Sequence, residues 1–225
     1  NTIYTLLDIT DNNSCFNSLS DTTMIAVVQT SSAGNNATAT LCTNDIAFDM
    51  FSLLGGNPAM GGVWTNASGN TVSNIFDPAT AVTGIYTYSV TAAPCPSSTA
   101  DLIVNINIIP TISISGTDII CLGDSTDLSF TLTGLAPFSV DYTDGTNNFN
   151  VSLDANGNNL LSGFPISHYP LINTNYTIDS ITDANGCSNN GSGIADKIVN
   201  PLPNITIDPG DWICLGDSTD LVFFV

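Results

Sequence analysis

Few residues of this 225-residue chain could do chemistry: six cysteines, one histidine, one lysine and twenty aspartates, with no glutamate and no arginine. The single histidine allows one conceivable Ser-His-Asp arrangement, in Ser167-His168-Tyr169-Pro170, and no G-x-S-x-G elbow accompanies it. In so turn-rich a segment His168 reads as a solvent-facing loop residue. Paired aspartates could hydrolyse glycosides, but twenty aspartates set mostly in turn sequences make coincidental pairs inevitable. With no glycine-rich phosphate loop, basic groove or CxxC redox motif, no catalysis is expected. Zinc is excluded by spacing, since there is no C-x₂₋₄-C pair. Calcium suits the oxygen-rich loops better, at Asp141, Asp144, Asp154 and Asp183, with Asp8 and Asp11 as a further pair. None of these completes a calcium loop with its distal glutamate, so the first reading is Asx-turns, with calcium as the lesser alternative and no other cofactor.

The cysteines follow a repeat. The segment Ile120 to Leu128, ICLGDSTDL, recurs from Ile213 to Leu221, and Pro110, Ile112, Ile114, Asp118 and Phe130 answer to Pro203, Ile205, Ile207, Asp211 and Phe223. A nine-residue identity in one phase marks a tandem-repeat protein. Tyr4 to Cys15 (YTLLDITDNNSC) likewise answers to Tyr176 to Cys187 (YTIDSITDANGC), and Tyr86 to Cys95 is a third version. Cys42, Cys121 and Cys214 therefore open repeats, whereas Cys15, Cys95 and Cys187 close them. This phase suggests pairing Cys42 with Cys95 and Cys121 with Cys187, leaving Cys15 and Cys214 to partners outside these 225 residues. Each staple would be worth roughly 4 kcal/mol in the chain-entropy account. The expected divisions are the end of one repeat (1–30), two complete repeats (31–109 and 110–202) and the start of another (203–225).

Composition narrows the partners. The net charge is −19 although only 9% of residues are charged, because Asn, Ser and Thr make the surface polar. Such a surface repels phosphate backbones and anionic lipid, which argues against nucleic acid and electrostatic membrane docking. Hydrophobic residues make up 43%, enough for packed cores, and no run approaches the roughly 18 apolar residues of a membrane span. Six cysteines in this setting point to an oxidising, extracellular compartment.

Strand-like runs dominate: Thr23 to Val28, Leu102 to Ile108, Thr111 to Ser115, Leu128 to Leu132 and Phe138 to Tyr142. Asp144-Gly145, Asn156-Gly157 and Asn185-Gly186 supply tight turns between runs. Only Asn44 to Leu54 has spacing that suits a helical turn or two, within a stretch otherwise read as strand and loop. The pattern predicts all-β, antiparallel Ig-like sandwiches. Short proline-bearing joints at Ile109-Pro110 and Pro201-Leu202-Pro203 predict an extended array.

Two motif sets carry a resemblance. Gly61-Gly62-Val63-Trp64, Phe76-Asp77-Pro78-Ala79-Thr80 and Gly84 to Tyr88 look like the PKD-like or Ig-like repeats of large Bacteroidetes surface proteins exported by the type IX system. Gly134-Leu135-Ala136-Pro137-Phe138 and Thr182 to Cys187 resemble the repeats of SprB-type gliding-motility adhesins. The resemblance implies a bacterial cell-surface filament that contacts an extracellular polymer or substratum. Its neighbours would be further repeats of the same chain, with no membrane insertion in this segment. It also implies O-glycosylation at the D-[ST]-[AILMVT] matches Thr22, Ser125, Ser180 and Ser218. Trp64 is expected in the core near a Cys42–Cys95 bridge, with a carbohydrate-stacking platform as the alternative, and Trp212 is expected in the core at the place of Ile119. The leading function is a structural and adhesive repeat segment. A glycan- or polymer-binding module and an accessory region of a secreted hydrolase are the rivals.

Overall fold

The computed structural model describes residues 2–204 throughout and, beyond them, residues 206–207, 212, 214–216, 218 and 223–224. The chain divides into two compact units, Asn1–Ile106 and Asn107–Val225.

The first unit begins with an antiparallel hairpin, β1 (Thr2–Thr10) and β2 (Phe16–Ile25). Its turn is fixed by Asp11, whose Oδ1 accepts from Asn13 N–H and Cys15 N–H, each at 2.9 Å. A sandwich follows, built from β3 (Ala37–Cys42), β4 (Phe48–Asp49), β5 (Val63–Asn66), β6 (Thr71–Val72), β7 (Ile75–Phe76), β8 (Gly84–Val90) and β9 (Ser98–Asn107). The larger sheet runs β3-β9-β8-β5-β6, and β4 pairs β7 in the opposing layer. The helical turn expected between Asn44 and Leu54 is a single 3-10 turn, Met50–Leu53, capped by Asp49 Oδ1 on Phe51 N–H at 3.0 Å. Alternation along β8 turns Tyr86, Tyr88 and Val90 into the core with Trp64, Phe76, Leu102 and Val104.

The second unit repeats the plan with β10 (Thr111–Ile114), β11 (Gly116–Cys121), β12 (Thr126–Leu128), β13 (Phe130–Thr133), β14 (Phe138–Thr143), β15 (Asn148–Leu153), β16 (Ile166–His168), β17 (Thr174–Thr182), β18 (Ser188–Asn190) and β19 (Ile194–Asn200). Its main sheet runs β11-β19-β17-β14-β15, with β18 on β17, and β10-β13 and β12-β16 form the opposing layer. One short antiparallel pair, β20 (Thr206–Ile207) with β21 (Phe223–Phe224), closes the description. Val140, Tyr142, Leu153, Tyr176, Ile178 and Ile181 fill the core between the layers. The run Leu128 to Leu132, read as one strand, is split at Ser129, so that β12 pairs with β16 and β13 with β10.

Both sandwiches carry one parallel edge. β11 pairs in parallel with β19, from Gly116 opposite Ala195 to Cys121 opposite Asn200. In the first unit Ala33 N–H meets Ser98 Oγ at 3.0 Å and Asp101 N–H meets Asn36 Oδ1 at 2.9 Å, so the chain advances the same way along β3 and β9. Glycine is required at two close approaches of the backbone. A Cβ on Gly193, at φ +88°, would lie 2.0 Å from Ile114 O, and one on Gly62 would lie 2.4 Å from Tyr88 Cζ.

Candidate functional site

The parallel edge corrects the expected staples. Cys95 and Cys121 are free thiols, while Cys42 and Cys187 are disulfide-bonded, so neither Cys42–Cys95 nor Cys121–Cys187 forms. The reason is geometric. Cys121 is level with Asn200, and the antiparallel β17 places Thr174 level with Lys197 and Thr182 beside Ser188. Three residues along β19 and eight along β17 therefore separate Cys121 from Cys187, roughly 35 Å at about 3.3 Å per residue. Disulfide geometry needs Cα atoms within about 7 Å. In the first unit Cys42 lies six residues beyond Asn36, near Asn107, whereas Cys95 precedes Ser98, roughly 30 Å away. Cysteines that open and close a repeat in sequence stand at opposite ends of its sandwich.

The same edge holds the lysine. Lys197, 3% exposed, extends from β19 to Asp118 Oδ2 on β11 at 2.5 Å, and to Asp127 O at 3.3 Å. Thr126 Oγ1 donates to the same Asp118 oxygen at 2.7 Å. These bonds, the Lys197 hydrogen bond first, hold the Asp118 carboxyl below its ordinary value. The carboxylate is half exposed, which screens the pair and limits its worth. Sequence reasoning missed this clamp. Its trace was the recurrence of Asp118 and Thr126 as Asp211 and Thr219, with Lys197 as the chain's single lysine.

His168 is not a solvent-facing loop residue. Strand alternation in β16 buries Ile166, exposes Ser167 and turns His168 inward onto Tyr142, Phe149 and Tyr176. Its Nε2 is 2.9 Å from Tyr142 Oη. Burial lowers the imidazole pKa below its usual 6.5 and pushes the Tyr142 phenol up to about 12, so both are neutral near pH 7. Ser167 points away and donates to Asp127 Oδ1. Serine, histidine and aspartate thus form no triad, and the imidazole is a half-buried hydrogen-bonding group at the margin of the core. A cleft of about 680 Å³ lies beside it, bounded by Asp144, Asn147, Tyr169 and Tyr176.

The calcium candidates do not converge. Asp144 accepts from Thr146 N–H (2.9 Å), Asn147 N–H (2.6 Å) and Asn147 Nδ2 (3.0 Å), and these bonds lower its pKa. Asp154 caps Asn156 and Asn158, and Asp183 caps Asn185 and Cys187. Asp141 bridges Asn150 and Ser180. Each carboxylate is engaged in its own turn or, for Asp141, by the two adjoining strands, and among the described residues no group of three or more His, Cys, Asp or Glu could hold a metal ion.

No family model and no curated protein matches the chain. Solved structures do. An I-band fragment from titin is similar over 78% of this chain and 67% of its own, at 9% identity and a TM-score of 0.48. Immunoglobulin domains 1–4 of Sidekick-1 follow over 86% and 57%, at 11% identity and a TM-score of 0.42. Extracellular domains 3–5 of Drosophila OTK match over 76% and 62%, at 12% identity and a TM-score of 0.39. This chain thus spans less than two thirds of the last two. What decides the architecture is the strand order seen twice above: the fold is immunoglobulin-like, in tandem. Tyr86 adds a local sign, since its hydroxyl donates back to Val82 O at 2.9 Å as a tyrosine corner does.

The remaining candidates divide by exposure. Thr22, Ser125 and Ser218 are exposed, whereas Ser180 lies within β17 and its hydroxyl donates to Asp141 at 2.9 Å. Trp64 is 3% exposed and packs on Tyr88 with ring centroids 5.2 Å apart, so it is a core residue rather than a stacking platform. Its Nε1 is buried without a partner. Trp212 is fully exposed, against expectation. The matching position in the preceding repeat, Ile119, is likewise exposed, at 67%, on the edge strand β11. No helix among the described residues is long and apolar enough to cross a membrane.

Proposed function

We propose that this chain is a structural and adhesive segment of a long cell-surface filament built from Ig-like repeats, of the gliding-motility or attachment type. The observation that carries this reading is the double use of one strand plan, β3-β9-β8-β5-β6 and β11-β19-β17-β14-β15, on sequences that share repeat-phased cysteines. Each sandwich acts as a load-bearing spacer. The four-part division 1–30, 31–109, 110–202 and 203–225 belongs to this reading, as do the bacterial outer surface, contact with an extracellular polymer or substratum, and glycosylation at Thr22, Ser125 and Ser218. The large negative charge keeps nucleic acid and anionic lipid away.

The experiment is immunolabelling of intact source cells with an antibody to residues 110–202. Label along projecting filaments is the expected result, and label confined to secreted material would overturn the reading. A second reading, glycan binding, is favoured by the cleft beside His168, where Asp144 and Asn147 offer hydrogen bonds and Tyr169 is exposed. It predicts retention of the chain on a glycan column that Tyr169→Ala abolishes.

A further inference from the structure

We propose that Cys121 and Cys95 form disulfides with cysteines of the repeats adjoining this segment in a longer chain, rather than inside their own sandwiches. The inference rests on the array reading above. Cys121 is exposed at the end of β11, opposite Asn200, the last residue of β19. Leu122 N–H donates to Asn200 O at 2.8 Å. Its thiol therefore stands where the chain leaves the sandwich through Pro201-Leu202-Pro203.

Closing cysteines stand at the other end, beside the segment by which the chain comes in. Cys95 sits in the turn between β8 and β9, with its N–H on Ala92 O at 2.8 Å and its Sγ 3.6 Å from Val28 O. In the second unit Cys187 is placed the same way. Asn189, two residues on, donates to Pro110 O at 2.9 Å. The two complete sandwiches therefore share one rule: opening cysteine at the outgoing joint, closing cysteine at the incoming joint.

The three-residue joint spans at most about 11 Å, whereas the partner inside the same sandwich is roughly 35 Å away. The cysteine within reach of Cys121 is thus the closing cysteine of the repeat that follows. For Cys95 it is the opening cysteine of the repeat that precedes. Each bridge forms by thiol–disulfide exchange with a disulfide oxidant. One thiolate displaces a sulfur of the oxidant, the second thiolate attacks the mixed disulfide, and the two protons and two electrons leave with the oxidant as a dithiol. Such bridges fasten the joints against extension.

The test is disulfide mapping of the full-length protein, alkylated before any reduction and digested with pepsin and chymotrypsin. The expected result is a Cys121 peptide joined to a cysteine downstream of residue 225, and a Cys95 peptide joined to one upstream of residue 1. A Cys42–Cys95 or Cys121–Cys187 peptide overturns the proposal, as does alkylation of Cys95 and Cys121 as free thiols. The array reading fails separately, on a full-length mass and sequence that hold no further repeat, and the proposal then falls with it.

Discussion

At the centre of the first sandwich Trp64 on β5 stands opposite Tyr88 on β8, while in the second Tyr142 on β14 stands opposite Ile178 on β17. The flanking tyrosines Tyr86 and Tyr176 hold the same place two residues earlier on β8 and β17. One strand plan is thus filled in two ways. The first sandwich packs large rings against each other, and its buried hydroxyls bond to backbone, Tyr88 donating to Ala59 O at 2.7 Å and accepting from Gly62 N–H at 2.8 Å. The second sandwich has a smaller pair at that position and fills the space with His168, and it adds the Lys197–Asp118–Thr126 clamp on its edge. The backbone plan therefore leaves the core chemistry free: one unit is held by neutral packing, the other partly by groups that titrate.

The largest expected effect breaks the first unit alone. Trp64→Ala costs it about 4 kcal/mol, read as lost hydrogen-exchange protection in β5 and β8 with β14 and β17 unchanged. Trp64→Phe costs far less, because it also removes the buried N–H that has no partner. Next comes the counterpart in the second unit. A Cβ on Gly191 would lie 2.0 Å from Ile178 Cγ2, so Gly191→Ala costs about 3 kcal/mol and lowers protection in β17 only. Equal loss in both units from either change would show that the two cores do not stand independently.

Lys197→Ala is expected to cost the second unit about 2 kcal/mol, less than for a fully buried pair because Asp118 can resolvate. Lys197→Met restores much of the loss by filling the same space, and chemical denaturation of the three proteins measures the series. Since the folded Asp118 pKa is depressed, the clamp's contribution is present above the ordinary aspartate value of 3.8 and fades as pH falls through the folded value. The smallest effect comes from His168, whose folded pKa lies below 6.5. The unfolded chain then binds the proton more readily, so the second unit loses stability as pH drops below 6.5 while the first does not. Calorimetry at pH 7 and pH 5 checks this, and His168→Gln should flatten the dependence.

Much of this was legible beforehand because it is local. Alternation in the runs that became β9, β10 and β14 announced strands with one buried face. Asp144-Gly145, Asn156-Gly157 and Asn185-Gly186 each mark a turn, with Asp144, Asp154 and Asp183 accepting from backbone N–H groups inside it. The misreadings all concern distance across the fold. His168 looked like a loop residue because its aromatic neighbours come from β14, β15 and β17. Trp212 looked like core because it takes the place of the apolar Ile119, yet Ile119 is itself exposed on the edge strand β11, which sequence does not distinguish from a central one. Ser180 matched a modification motif whose accessibility depends on Asp141, a residue 39 positions away.

The sequence by itself determined the strand content, the turns, the repeat phase and the acidic, polar surface, since each follows from nearest-neighbour backbone preference and composition. The tertiary structure alone decided which cysteines can meet, where the one lysine finds its carboxylate, and whether the histidine faces water. The physical reason is the parallel edge strand. Parallel pairing needs a crossover through the rest of the sandwich, so it sends the first cysteine of each repeat to the end opposite the last. A repeat period records the order of residues along the chain and carries no sign of that direction.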